Sequence, residues 1–426
     1  MKIAVLCHSD SCGGAAVVSR RLTHALAEAG ADAAMLAGRK DTDDPAVHLA
    51  AGTLASKMAF AREHIAIGAS NGITKRDMFK VSTGLYGLPL DRHPLVREAD
   101  AVIVNWINQG FGTLDAIGRI AATGKKVIWT MHDMWNATAL CHHSGDCRAY
   151  LGGDCTACPL MHGHGAPLAR KVWHAKRALY TGADITFVAV SNWLADVCRQ
   201  SPLMEGCRIV TIPNALPLDN FRTVPRRSRE GIGLPGTAPI VLMCAARLDD
   251  PIKGLDKAVE ALNAAESDLI AVFVGDLRDR SALDGLKKPH VWLGQVSDSD
   301  LMADIYAHTD IVISSSQCET LPTTLIEGLA SGADAVSFDC GGQADIVTDG
   351  ENGALVAAGD AAALARAIDS RLAARDAAGR LGSLRPNRRA TAERFAPAAV
   401  AAAYLRLIAD SPLPEPQKNS YFFARK

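Results

Sequence analysis

Two short stretches of the chain gather side chains suited to gripping a phosphorylated ligand. One reads Cys318-Glu319-Thr320-Leu321-Pro322-Thr323-Thr324-Leu325-Ile326-Glu327-Gly328 and follows an apolar run at 311–314. Proline suits the first position of a helix, where its missing N–H would have no partner anyway. Pro322 therefore predicts a helix start that leaves the amides of Thr323 and Thr324 unpaired. Such amides, with the helix dipole behind them, form an anion site that suits a diphosphate. Glu319 precedes this helix and Glu327 lies one to two turns into it, so both can accept hydrogen bonds from hydroxyl groups of one ligand. The other stretch, Ala245-Ala246-Arg247-Leu248-Asp249-Asp250-Pro251-Ile252-Lys253-Gly254-Leu255, follows an apolar run at 240–244. Arg247 and Lys253 lie there on a loop between strand and helix, where two cations can neutralise a diphosphate and stabilise its charge as it departs. Singly, the glutamates read as a capped, solvated helix and the cations as surface charge. Their joint occurrence, each group after its own strand, points to one ligand site.

The first half holds further candidates. Gly13 and Gly14, in Ser11-Cys12-Gly13-Gly14-Ala15-Ala16, link the first strand to the first helix and let backbone approach a ligand closely. Tight-turn chemistry explains such a pair equally well. The three-glycine dinucleotide fingerprint is not met, which counts against a dehydrogenase. His132 and Asp133 end a strand over 127–131, and Asn105 and Trp106 follow a strand over 101–104. Each pair either faces a ligand or serves local capping and packing. Cys141, Cys147, Cys155 and Cys158 follow, with His142 and His143 among them. Four thiolates can hold a tetrahedral Zn²⁺. Free thiols in an irregular loop and an iron–sulfur cluster are the alternatives, and any metal here would order a loop rather than perform catalysis.

These groups need a scaffold that brings strand ends together. Apolar runs over 2–7, 101–104, 127–131, 185–190 and 209–212 alternate with helical patterns over 15–29, 114–122 and 193–199. Alternation with fully apolar strands predicts a parallel sheet covered on both faces. The stretch 213–236, with Pro213, Pro217, Pro225 and Pro235, reads as an interdomain linker. Alternation resumes with strands over 240–244, 269–274, 291–293, 311–314 and 335–338 and helices over 255–265, 298–307, 323–330 and 361–372. The expected architecture is α/β with two doubly wound domains, 1–215 and 216–393. A C-terminal helix over 397–408 and a proline-bearing tail complete the chain at 394–426. Ligands bind such sheets at the carboxyl ends of the strands, so two of them facing each other would make a cleft.

At 426 residues, 48% apolar and 21% charged, the chain has ample core for two domains. Its formal net charge of −1 argues against a large polyanion-binding surface and therefore against nucleic acid as partner. The apolar run at the N-terminus is too short for a signal peptide, and no stretch of about 18 apolar residues predicts a membrane span. The expected compartment is the cytoplasm, with the eleven cysteines mostly reduced.

The C-terminal half carries a longer pattern. Ala246-Arg247-Leu248 and Lys253-Gly254-Leu255 are followed by Val274-Gly275-Asp276, Leu293-Gly294 and the Glu319–Glu327 pair. Gly341-Gly342-Gln343-Ala344-Asp345-Ile346-Val347 and Asp349-Gly350-Glu351-Asn352-Gly353 complete it. This order and spacing resemble the retaining GT-B glycosyltransferases of family 4, the glycosyl transferases group 1. The resemblance implies the GT-B fold, two Rossmann-like domains across a cleft, with an N-terminal acceptor side and a C-terminal donor side. It implies that Arg247 and Lys253 bind the donor diphosphate, that Glu319 binds the transferred sugar and that Glu327 binds the nucleotide ribose. The loop at Gly294 would lie near the base, with Leu321, Pro322, Thr323, Thr324, Gly13 and Gly14 around the donor. Thr320, Leu321 and Pro322 stand where many members have Phe or Gly after the first Glu. His132 would support the transferred sugar, and Asn105, Trp106 and Asp133 would line the acceptor side.

The activity so implied moves a hexose-type sugar from a UDP-, GDP- or ADP-linked donor to a glycan, lipid-linked or small-molecule acceptor, as in polysaccharide biosynthesis. No cofactor is expected for catalysis, and zinc is expected only as a structural ion. A nucleotide-sugar epimerase of the same architecture and a catalytically silent binding subunit are the alternatives. Arg62, Lys75, Arg76 and Lys80 near Met58, Phe60 and Phe79 could form an edge for peripheral contact at the inner face of a membrane, or a solvated helix face.

Overall fold

The computed structural model describes residues 1–73, 77–156, 158–162, 165–377 and 390–410. The chain divides into two compact units. The first comprises Met1–Ala215 and the helix that follows Ala396, and the second Leu216–Ala396.

In the first unit the elements run β1 (Lys2–Ser9), α1 (Gly14–Glu28), β2 (Asp32–Arg39), β3 (Val47–Leu49), α2 (Thr53–Ser70), α3 (Pro94–Glu98), β4 (Ala101–Val104), α4 (Leu114–Ala121), β5 (Lys126–Met131), α5 (Gly165–Gly182), β6 (Ile185–Ala189), α6 (Asn192–Gln200) and β7 (Arg208–Thr211). The seven strands are parallel, in the order β3-β2-β1-β4-β5-β6-β7. Every residue of β4 and β6 is buried, and apart from Thr186 both strands are apolar throughout. Helix starts are marked by local chemistry: the Thr113 hydroxyl accepts the Ala116 N–H at α4, and the Ser191 hydroxyl accepts the Leu194 N–H at α6.

The second unit contains β8 (Ile240–Arg247), α7 (Leu255–Ala264), β9 (Ile270–Asp276), β10 (His290–Trp292), α8 (Ser299–His308), β11 (Ile311–Ser314), α9 (Thr323–Ala330), β12 (Asp334–Asp339), β13 (Gly353–Ala357) and α10 (Ala361–Ala377). Its parallel sheet has the order β10-β9-β8-β11-β12-β13. The proline-bearing stretch after residue 213 is not a loose tether. Arg222 and Arg227 close on the fully buried Asp304 carboxylate of α8 at 2.8 and 3.3 Å, and the Arg226 N–H donates to it at 2.7 Å. The last helix, α11 (Pro397–Ile408), packs on α1 and buries Val400, Ala401, Tyr404 and Leu407 in the first unit's core. The Tyr404 hydroxyl bonds to that of Thr130 at 2.8 Å. Among the described residues no helix is long and apolar enough to cross a membrane.

Two local expectations change. β8 runs on to Arg247 rather than stopping at residue 244. It does so through a bulge in which Cys244 pairs with Val274 and Arg247 with Asp276. Pro322 is the cap before α9 rather than its first residue, because its ψ of 99° is extended and the helix begins at Thr323.

Candidate functional site

In each sheet the chain reverses its winding direction at one place. In the second unit this switch lies between β8 and β11, the two strands that begin the opposite halves of the sheet. Loops diverge there, so the crevice beyond the carboxyl ends of those strands is where an α/β sheet holds ligand. Both sequence stretches arrive at this point. The end of β8 supplies Arg247 and the loop after it Lys253, while the loop after β11 supplies Glu319 and the start of α9.

The two loops are stapled. Ser315 Oγ donates to the Lys253 carbonyl at 3.1 Å, and the Gln317 N–H donates to the Ile252 carbonyl at 2.8 Å. Gly254 adopts φ +64°, and a Cβ built there would sit 2.2 Å from the Ser315 carbonyl oxygen, so only glycine lets the loops approach this closely. Lys253 Nζ meets Glu319 Oε1 at 2.5 Å, and Ser316 Oγ donates to the same oxygen at 2.9 Å. Gly341 is pressed against the Glu319 carbonyl, which accepts the Gly342 N–H at 2.8 Å. Arg247 pairs instead with Asp250 at 3.0 Å and Asp249 at 3.5 Å, and its side chain remains 37% exposed. Among the described residues no hydrogen bond is recorded for the Thr323 or Thr324 N–H, and α9 has no side-chain cap. Leu321 and Pro322 are buried beneath them. Glu327 Oε2 accepts from the buried Tyr306 hydroxyl at 2.7 Å. Tyr306 in turn touches Cys244 on β8, where burial pushes the thiol up to about 12. Gly294, at φ +71° after β10, accepts the Gly275 N–H at 2.8 Å and so lies on the same sheet edge.

Arg247, Lys253, Glu319, Glu327, Gly294 and the α9 amides therefore gather at one end of one sheet, with Lys253 and Glu319 in direct contact. Ser316 and Tyr306, which hold the two glutamates, escape sequence reasoning. Ser316 sits within an ordinary serine run and Tyr306 looks like a core position of α8.

The first unit's switch lies between β1 and β4. Gly13, exposed at φ +88°, caps α1 there, and Gly14 opens the helix. Asn105 and Trp106 follow β4, and His132 and Asp133 follow the neighbouring β5. His132 Nε2 bonds to Asn105 Oδ1 at 2.8 Å. Burial lowers the His132 ring to about 4, against the opposing pull of Asp133, so the imidazole is neutral at pH 7. Its Nε2–H donates to Asn105, which leaves Nδ1 as an acceptor.

Asp133 is occupied differently from the expectation of an acceptor-side group. It accepts from Trp106 Nε1 at 2.9 Å, from His142 Nδ1 at 2.8 Å and from the Trp135 N–H at 2.8 Å. Burial pushes this carboxyl up, but the His142 ring and these hydrogen bonds outweigh it and hold the group well below the usual carboxylate range. Asp133 thus fixes Trp106 and His142. Ser82 Oγ bonds the far side of the His142 ring at 3.0 Å.

The four cysteines line one small cavity together with Leu140, Tyr150 and Leu160. Burial raises the Cys141 thiol to about 12 and raises those of Cys155 and Cys158. As placed, no three His, Cys, Asp or Glu side chains among the described residues stand in metal-binding geometry. Of the suggested basic edge, Arg62 is exposed on α2 and Lys80 pairs with Asp77 at 2.9 Å, while Lys75 and Arg76 lie outside the described residues.

Comparison with known proteins agrees with this architecture. The family model for Glycosyltransferase Family 4 matches residues 12–220, and that for Glycosyl transferases group 1 matches residues 239–374. A GDP-mannose-dependent alpha-mannosyltransferase of Mycobacterium tuberculosis is 33% identical over 196 residues, 45% of this chain and 49% of that protein. The alignments span less than half the length of the curated relatives they match. Sucrose-phosphate synthase from Thermosynechococcus elongatus superposes with a TM-score of 0.64 at 21% identity, over 96% of this chain and 100% of that one. HepE of Anabaena in complex with UDP gives 0.63 at 16% identity, over 96% and 100% of the two chains. These structural likenesses concern the fold. The chain belongs to glycosyltransferase family 4, within the glycosyl transferases group 1, and is built on their GT-B fold.

Proposed function

We propose that this chain transfers a hexose-type sugar, with retention at the anomeric carbon, from a nucleoside diphosphate donor to a hydroxyl-bearing acceptor. The observation that supports it most is the contact of Lys253 with Glu319 beside the open amides of α9, at the switch point of the second sheet. Arg247, Lys253 and the Thr323 and Thr324 N–H groups bind the diphosphate and stabilise its charge as the bond from the anomeric carbon to the phosphate oxygen breaks. Glu319 binds hydroxyls of the transferred sugar and Glu327 those of the ribose. The sugar passes through an oxocarbenium-like state. The acceptor oxygen bonds to the anomeric carbon on the face the leaving group vacates, and its proton passes to the departing diphosphate. In the first unit, neutral His132 offers Nδ1 to a sugar hydroxyl, and Asn105 and Trp106 present the acceptor side. Asp133 serves this reading as the group that orients Trp106.

The donor base is the finer question. One relative's name specifies GDP-mannose and one structural neighbour holds UDP, so both chemistries belong in the test. Thermal denaturation with UDP-glucose, GDP-mannose and ADP-glucose should show one donor raising the melting point, about 2.7 kcal/mol of stabilisation at a hundredfold excess over Kd. Lys253→Ala should abolish that shift and the transfer. No shift with any of them, or turnover unchanged in both Lys253→Ala and Glu319→Ala, would overturn the reading.

A lipid-linked acceptor at a membrane surface is supported by α2. Leu54, Met58, Ala61 and Ile65 form one exposed stripe at helical spacing, flanked by exposed Lys57 and Arg62, while the helix's one acid, Glu63, is buried. Flotation with phosphatidylglycerol vesicles should carry the protein, and Leu54→Glu with Ile65→Glu should release it. Equal recovery of both proteins would refute this contact.

A further inference from the structure

We propose that Cys141, Cys147, Cys155 and Cys158 form a structural zinc site that ties down the segment between β5 and α5. The inference is independent of the donor-site reading. It rests first on convergence. All four cysteines are among the residues that line one cavity of about 20 Å³, room for one ion or one water. A water needs two to four polar partners, and the remaining lining is Leu140, Ser144, Ala149, Tyr150, Pro159 and Leu160. Among the described residues the donors on the wall are the four cysteine sulfurs and the Ser144 hydroxyl, with no carboxylate or imidazole. That donor set selects a borderline-soft tetrahedral ion and rejects calcium and magnesium.

The second ground is the length of unsupported chain. Among the described residues between β5 and α5, the regular structure consists of two 3-10 turns, Met134–Asn136 and Ala149–Leu151. Loops of this length without structure of their own need another source of order, and metal binding supplies it. As placed, the sulfurs are not gathered to coordination distance. A change of χ1 rotamer moves a cysteine Sγ by about 3 Å, so coordination requires at least a rotamer change of these side chains. Each thiol gives its proton to solvent as the ion binds.

The tie has a defined consequence. Cys141 bridges to Val81, and the adjacent His142 accepts the Met134 N–H at its carbonyl and reaches Asp133 through its ring. The metal thereby fixes the backbone that brings His142 to Asp133 and so orients Trp106.

The test uses the full chain purified under reducing conditions without chelator. Elemental analysis should give one zinc per chain. A mercurial thiol reagent should release it, as read by a chromogenic zinc indicator. Cobalt reconstitution should give the thiolate charge-transfer absorption of a tetrahedral site. Cys155→Ser with Cys158→Ser should lose the metal, and Cys207→Ser should keep it. Wild-type protein that holds no zinc and takes up no cobalt after reduction would overturn the proposal without recourse to any variant. So would iron with acid-labile sulfide, a disulfide among the four cysteines, or equal zinc in the double variant.

Discussion

Lys253 and Glu319 are in direct contact, so a diphosphate that binds Lys253 must compete with the carboxylate for the ammonium group. Glu319→Gln removes the competitor and keeps the shape. The pair stands at 2.5 Å, but the side chains are 30% and 17% exposed, so solvent screens it. A pair of this kind contributes about 1 kcal/mol, and its release should tighten UDP or GDP binding about fivefold. Turnover should move the other way. A carboxylate that grips sugar hydroxyls as positive charge develops on the ring contributes on the order of 3 kcal/mol, so transfer should fall by about a hundredfold or more. Isothermal titration with the nucleoside diphosphate and a product-release assay with the full donor read the two effects separately. Lys253→Ala provides the contrast, since it should weaken both. If Glu319→Gln weakens nucleotide binding as much as Lys253→Ala does, the glutamate holds the lysine in place rather than competing for it, and the reasoning fails.

His132 stays neutral in the folded chain down to about pH 4, whereas the unfolded ring takes up its proton near 6.5. The unfolded state thus binds more protons in that window. Stability should fall as pH drops through it, by at most about 3 kcal/mol, and His132→Gln should remove that component of the slope in urea titrations at pH 7 and 4.5. Asp133→Asn should cost about 2–4 kcal/mol in chemical denaturation, because the amide cannot accept from Trp106, His142 and the Trp135 N–H as the carboxylate does. A raised acceptor KM with unchanged stability would instead assign Asp133 to the ligand. Gly254→Ala meets both a left-handed backbone and a carbonyl at 2.2 Å, so it should destabilise the second unit by about 2–4 kcal/mol and weaken nucleotide binding. Wild-type behaviour in both assays would refute the stapled-loop geometry.

Much of this architecture is legible in the sequence because buried parallel strands are almost wholly apolar, as in β6 and β11, where Thr186 and Ser314 are the polar members. The runs at β4, β6 and β11 need no context to be recognised. β2, α2 and β13 escape such reading for stated reasons. β2 and β13 are rich in alanine and glycine, whose small side chains mark no face. α2 exposes apolar residues on one side and buries Glu63 on the other, the reverse of the usual pattern. The buried Glu63 carboxylate is satisfied by the Thr83 N–H and hydroxyl, twenty residues away, which no local pattern reveals. At the site, the cations and acids announce themselves by type and by position after a strand. Their partners do not. Asp133 reads as a ligand group until three donors are found around it, and His142 reads as part of the cysteine loop until its ring is seen against that carboxylate.

The bulge that ends β8 settles where a charge points. Cys244 and Arg247 are three steps apart on their own strand, while their partners Val274 and Asp276 are two steps apart on β9. Side chains on a strand alternate with each step, so an odd separation in a regular ladder would put the guanidinium on the opposite side of the sheet from the thiol. The extra residue reverses that parity and returns Arg247 to the side on which Cys244 meets Tyr306. The address of this cation is thus written in a fault of the pleat rather than in its own side chain. Homologous chains compared by residue type alone would miss a misdirected arginine wherever that fault had been repaired.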